Sequence, residues 1–424
     1  MAFVSKEKNS TFGDSSKSYL IPFILVTSLF FLWAFVHNLE PILIPHLKKA
    51  CQLSDLQSAL IDSSVYLGYL LMALPAGHFV KKYGYKKGIL LGLFLYALGA
   101  LLFLPAADRR IYIFFLGALF IIASGCAFLE TAANPYVTIL GKPETATTRL
   151  NFSQSFNGLG AFIAPLLGGR LILSGIEHNK SDLTAMSSQQ LDSYLQMEAD
   201  AVKIPYLMIA LVVLMVAALI YFTSLPEIAV DENNSQTSVL KALKHAQLKW
   251  GVVAQFFYVG AQVGVTSFFI RFAKYTGNTP EKDAAFWLGI AMFGFMVGRF
   301  AGTFLTRFIA PHRLLTIYAF ICILLLSVAT FVKSELAMWA LFAVPFFESI
   351  MFPTIFSLAI NRIKEDTEIG SSLVVMAIAG GAVFPLLMGF ISDRSNIQMA
   401  YVVPLACFFF IAWFGAKGHK SPTS

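Results

Sequence analysis

Long apolar runs separated by short polar segments repeat along the whole chain, as in LIPFILVTSLFFLWAFV from Leu20 and IYIFFLGALFIIASGCAFL from Ile111. A helix needs about 20 such residues to cross roughly 30 Å of hydrocarbon. The pattern predicts twelve membrane-spanning helices, at about 20–46, 56–80, 88–107, 111–140, 150–174, 204–224, 248–273, 283–306, 314–333, 336–361, 371–391 and 398–416. Strict alternation of apolar and polar residues over short segments, the mark of a membrane barrel, is missing. The expected fold class is an all-α membrane protein.

Composition agrees with the pattern. Hydrophobic residues make up 57% and charged residues 13% of the 424, and the mean hydropathy is +0.70, too apolar for a chain that must cover itself with a polar surface. Lys and Arg fall preferentially in the segments that lie on the side of the two termini, above all KKYGYKK at 81–87, which predicts that both termini are cytoplasmic. The net charge of +7 therefore reflects topology, and no nucleic-acid partner is implied. The polar first 19 residues read as a tail without a cleavable signal. Cys126, Cys322 and Cys407 fall inside spans and Cys51 near a helix end, so neither a disulfide framework nor a metal set is expected.

Two longer polar segments divide the chain. Residues 175–203 read as an external loop with an amphipathic piece, and 225–247 as a cytoplasmic linker between a six-helix half at 20–224 and another at 248–417, with a short tail at 418–424. Internal similarity supports that division. GHFVKKYGYKKG from Gly77 pairs with GTFLTRFIAPHR from Gly302, and Glu130 precedes Pro135 by the same five residues that separate Glu348 from Pro353. Two parallel, pseudo-symmetric six-helix halves around a midplane cavity describe the major facilitator architecture. The Gly-x-Phe loops with basic residues resemble that superfamily's signature, with Lys81 where an acid is usual.

Polar side chains are sparse in the spans and grouped. Asn38 and Glu40 stand at mid-depth in span one ahead of Pro41 and Pro45; Glu130 and Asn134 in span four; Asn151, Gln154 and Asn157 in span five; Gln255, Tyr258 and Gln262 in span seven. Gln154 and Asn157 share one helical face, as do Gln255, Tyr258 and Gln262. Amides that both donate and accept, beside aromatic rings, match the hydroxyls and C–H faces of a sugar, although amides also join helices to each other. An ionised carboxylate at membrane depth costs several kcal/mol, so Glu130 invites a functional reading.

The strings SLFFLWAF, GLFLYALGALLFLPAA, CAFLETAANPYVTILG, RLNFSQSFNGLGA, AQFFYVGAQ, FPTIFSLAI and GSSLVVMAIAGG resemble the fucose permease family of sugar:proton symporters, which also holds glucose/galactose transporters. The resemblance runs over nearly the whole chain. It implies that an acid in span four and one in span one serve sugar recognition and proton coupling. Glu130 matches the first. The second departs: the family reads Asn-Leu-Asn-Asp-Ile-Leu where this chain reads Asn38-Leu39-Glu40-Pro41-Ile42-Leu43. A one-residue shift turns a helical side chain by about 100°, so Glu40 takes the role only if the Pro41 distortion re-aims it.

The resulting expectation is a proton-coupled importer of a neutral hexose in a bacterial inner membrane, acting as a monomer. Glu130 and Glu40 would couple the proton; Asn38, Glu130, Asn134, Gln154, Asn157, Gln255, Tyr258, Gln262 and Glu348 would bind sugar. Glu348 reads as a second sugar contact, a protonation site or a partner for a cation. Asp62 reads as a gate or helix contact, Arg299 as snorkelling or pairing with the inner loop, His37 as hydrogen-bonded. A uniporter or sodium-coupled carrier on the same fold is the alternative. No nucleotide loop, metal cluster or nucleophile–base pair points to an enzyme, and no cofactor is implied. The sugar itself is left open among fucose, glucose, galactose, mannose and N-acetyl hexosamine.

Overall fold

The computed structural model describes residues 19–141, 146–176, 178, 180–226, 242–361, 363 and 367–419. Most of the expected terminal tails and of the linker, and the side chain of Asn151, lie outside the described residues. Among those described, every regular element is helical.

The N-terminal half comprises α1 (Leu20–His37), α2 (Glu40–Ala50), α3 (Asp55–Tyr83), α4 (Tyr85–Arg109), α5 (Tyr112–Ile139), α6 (Ala146–Leu171), α7 (Lys180–Ala185), α8 (Ser188–Asp200) and α9 (Lys203–Phe222). The C-terminal half comprises α10 (Ala246–Ser267), α11 (Phe269–Gly277), α12 (Glu281–Leu305), α13 (Pro311–Phe331), α14 (Leu336–Glu348), α15 (Met351–Ile360), α16 (Thr367–Met376), α17 (Gly380–Arg394), α18 (Ile397–Ala400) and α19 (Val402–Trp413). Ten of the helical stretches are long and apolar enough to cross a membrane, and α10 with α11, bent by 52°, makes an eleventh. The remaining expected span is α6, 26 residues of helix whose mean hydropathy is lowered by Asn151, Gln154 and Asn157. The segment expected as a loop at 175–203 holds two short helices, and Ser187 opens α8 with a capping box to Gln190.

Several spans are broken where the chemistry collects. Proline lacks an amide hydrogen and its ring crowds the carbonyl four residues back. Pro41 therefore disrupts the turn at His37, where α1 stops; Asn38 and Leu39 form a turn, and Glu40 begins α2. Pro353 likewise frees the Ser349 carbonyl at the break between α14 and α15, and Arg299 Nε donates to that carbonyl at 3.3 Å.

The halves meet through α3 against α17 and α6 against α12. Glycines permit the closest approaches within each half. A Cβ on Gly380 would stand 1.9 Å from the Phe256 carbonyl oxygen, and one on Gly160 2.8 Å from that of Phe31. The face carrying the turns at 51–54, 278–280, 332–335 and 395–396, called distal here, is tied shut between the halves. Asp393 accepts the backbone N–H groups of Asp55 and Leu56 at 2.7 and 2.9 Å. The Asp55 carboxylate accepts from Arg271 at 2.6 Å, from Ser392 at 2.5 Å and from Lys48. Beside it Lys49 bonds Glu281 at 3.2 Å.

Candidate functional site

α3 supplies one wall of the site because Asp62, Tyr66 and Tyr69 are spaced by four and three residues and share a face. Opposite it lies the broken segment of span one. The Tyr69 hydroxyl donates to Glu130 Oε1 at 2.8 Å. The Tyr66 hydroxyl and His37 Nε2 are 2.9 Å apart, and His37 Nδ1 lies 3.0 Å from Glu40 Oε1, within ion-pair range but poorly aligned for a hydrogen bond. Starting a new helix has re-aimed Glu40: it is 5% exposed and faces the site with its carboxylate beside His37.

Two adjoining chambers result. The first, of about 150 Å³, is lined by Trp33, Ala34, His37, Asn38, Tyr69, Glu130, Asn134, Gln154, Asn157 and Ile378. Three of its amides are held by hydrogen bonds: Asn134 Nδ2 donates to the Glu130 carbonyl at 3.0 Å, Gln154 Nε2 to Asn134 Oδ1 at 3.1 Å, and Asn38 Nδ2 to the Ala34 carbonyl at 2.8 Å. The second, of about 190 Å³, lies between the halves; Glu40, Asp62, Tyr66, Gln262, Phe295 and Arg299 are among its walls, and His37, Asn38 and Asn157 are common to both. Ser267 of α10 donates to Asp62 Oδ1 at 2.8 Å across the halves, making Asp62 an interdomain contact. Arg299 stacks on Phe295 at 5.0 Å rather than reaching out of the bundle.

Six sequence-predicted residues, Asn38, Glu40, Glu130, Asn134, Gln154 and Asn157, thus meet around the span-one break, with Gln262 facing them from the other half. Gln255, Tyr258 and Glu348 line neither chamber. Glu348 and Gln255 are fully buried, both carboxylate oxygens and both amide atoms without a hydrogen-bond partner, and the Tyr258 hydroxyl is spent on the Glu348 carbonyl at 2.9 Å. Tyr66, Tyr69 and Trp33 went unnoticed in the sequence; the signal for the tyrosines was their spacing from Asp62. A further cleft of about 210 Å³ is walled by apolar groups such as Phe31, Phe35, Leu167 and Met208 and offers no partners for hydroxyls.

The arrangement pairs a half-buried carboxylate with a phenol donor and amides that both donate and accept. It can hold a hydroxylated ligand and can exchange a proton at Glu130 in the same small space.

Comparison with known proteins agrees with the fold. The Major Facilitator Superfamily profile matches residues 23–381. The L-fucose-proton symporter of Escherichia coli K12 is 44% identical over 422 residues, covering 97% of this chain and 96% of that protein. The glucose/galactose transporter of Brucella abortus is 42% identical over 411 residues, covering 96% of each. The crystal structure of the transporter FucP in the outward conformation superimposes with a TM-score of 0.69 at 43% identity, over 96% of this chain and 100% of that one. With the fold and these likenesses agreeing, the chain belongs to the major facilitator superfamily, in the family of the L-fucose-proton symporter and the glucose/galactose transporters.

Proposed function

We propose that the protein is a sugar:proton symporter that takes up a neutral sugar by alternating access, with Glu130 carrying the proton. The observation that carries this reading is the Glu130 carboxylate, held by Tyr69 at 2.8 Å inside a chamber whose other polar walls are amides. Hydroxyl groups satisfy both the donors and acceptors of Asn134, Gln154 and Asn157, while the Trp33 ring supplies an apolar face for the sugar. An ionised, unoccupied Glu130 is costly at membrane depth; protonation or a bound sugar lowers that cost. The empty deprotonated carrier is thereby penalised from reorienting. Glu40, beside His37, is the second acid at the site and the candidate for tuning that cycle. The reading places the termini in the cytoplasm of a bacterium and the distal face outward, so the conformation described is closed to the outside, and it takes the protein as a monomer in the bilayer.

The test is proton movement in proteoliposomes loaded with a pH dye and challenged with fucose, glucose, galactose, mannose and N-acetylglucosamine. Sugar-driven acidification of the lumen that Glu130→Gln abolishes supports the reading. Labelled sugar entering without proton movement would make the protein a uniporter or sodium-coupled carrier, with Glu130 a binding residue alone.

A further inference from the structure

The first chamber does not exhaust the polar cavity. The second is at least as large, about 190 against 150 Å³, and adjoins it, with His37, Asn38 and Asn157 as shared walls. Ligand pockets ordinarily span about 300–1,000 Å³; neither chamber reaches that range alone, and the two together do. Their chemistry is of one kind. The first sets Glu130 beside Asn134 and Gln154 with Trp33 as an aromatic wall; the second sets Glu40 beside Gln262 and Asn157 with Tyr66 and Phe295 as aromatic walls.

Hydrogen-bonding capacity is also left over in the second chamber. Arg299 spends Nε on the Ser349 carbonyl, and its guanidinium borders the chamber. Asp62 Oδ2, at the chamber wall, is fully buried with no partner, while Oδ1 is held by Ser267. Unpaired buried acceptors are costly, and more so when charged. A single hexose in the Glu130 chamber leaves these groups unanswered.

We infer that the site accepts two linked sugar rings, one in each chamber, so that the preferred substrate is a disaccharide. This rests on the sugar-transport reading above and deepens it. The second ring's hydroxyls accept from Gln262 and Arg299 and donate to Glu40 and Asp62, and its C–H face lies on Tyr66 or Phe295. Because Gln262, Phe295 and Arg299 belong to the C-terminal half while Glu130 belongs to the other, such a ligand touches both halves at once. A ligand shifts a conformational equilibrium only through contacts that differ between states, and one bridging both halves has them.

The experiment is isothermal titration of the purified full-length protein with glucose, galactose and fucose, then with cellobiose, lactose and melibiose. At least one disaccharide is expected to bind ten-fold or more tightly than its component hexoses. Gln262→Ala is expected to weaken that disaccharide about ten-fold more than the hexoses, the size of one lost hydrogen bond; Asp62→Asn, on the other half, checks the same difference should the first variant fold poorly. Hexose binding with no disaccharide binding overturns the inference and leaves the sugar reading intact, as does an equal loss for both ligand classes. Binding of neither class overturns the sugar reading, and the inference with it.

Discussion

Tyr69 and Glu130 form the one hydrogen bond that joins α3 to the span-four acid, 2.8 Å from the phenol to Oε1. Hydrogen bonds to charged groups contribute about 1.5–3 kcal/mol, so Tyr69→Phe is expected to lower sugar-driven proton uptake about ten-fold or more while the protein still folds. Glu130→Gln keeps a donor and an acceptor for the sugar but carries no proton. It should exchange labelled sugar between the two faces and fail to concentrate it, and its exchange should be flat between pH 6 and 8, where wild-type accumulation falls as the proton supply falls. Accumulation by the Gln variant would remove Glu130 from coupling.

The Glu40–His37 pair tests whether the displaced span-one acid works with its neighbour. The carboxylate is 3.0 Å from Nδ1 and nearly enclosed. Glu40 is the enclosed member and the His37 side chain is a third exposed, so removing His37 strands the carboxylate, whereas removing both is milder. His37→Leu should therefore lower the melting temperature more than the double variant His37→Leu, Glu40→Leu. Equal losses that simply add would mean that the two side chains do not interact.

The helical spans and the gathering of polar residues around Glu130 were legible in the sequence, because apolar length and isolated polar residues are strong signals in a bilayer. The pseudo-symmetry between Glu130 and Glu348 was legible too, but its meaning was not. Span four runs unbroken past Pro135, whereas span ten breaks after Glu348 and buries it among its own half's helices. Helical spacing correctly grouped Gln255, Tyr258 and Gln262 on one face, yet only Gln262 reaches a chamber, since which stretch of a face meets the cavity depends on tilt and bend. Whether Pro41 re-aims Glu40 was likewise undecidable until the turn at Asn38 and Leu39 was seen.

Close packing makes Gly380 a sensitive position. Any Cβ there falls 1.9 Å from the Phe256 carbonyl, so span seven and span eleven must separate to admit it. Overpacking of this kind costs about 1–3 kcal/mol. Gly380→Ala should lower the melting temperature by several degrees, read by a thermal shift of the purified protein, whereas Gly117→Ala, with open space at that position, should not.

The distal closure can be read through a native thiol. Cys51 is half-buried next to Lys48 and Lys49, and the other three cysteines are buried inside spans. Burial holds the Cys51 thiol above its usual range, and the nearby Arg110 offsets this only in part. A raised thiol has less thiolate at neutral pH, and thiolate is the reactive form, so maleimide should label wild type slowly at pH 7 and faster as pH rises. Asp393→Asn weakens the cap on the N–H groups of Asp55 and Leu56 that pins α3 to α17. With the closure loosened, Cys51 gains water, its thiol returns toward the usual range, and labelling at pH 7 should accelerate several-fold. A sugar that draws the halves together should slow the variant again. An unchanged rate in Asp393→Asn would mean that the Asp55–Arg271 contacts hold the face shut without it, and Arg271→Ala should then produce the acceleration instead.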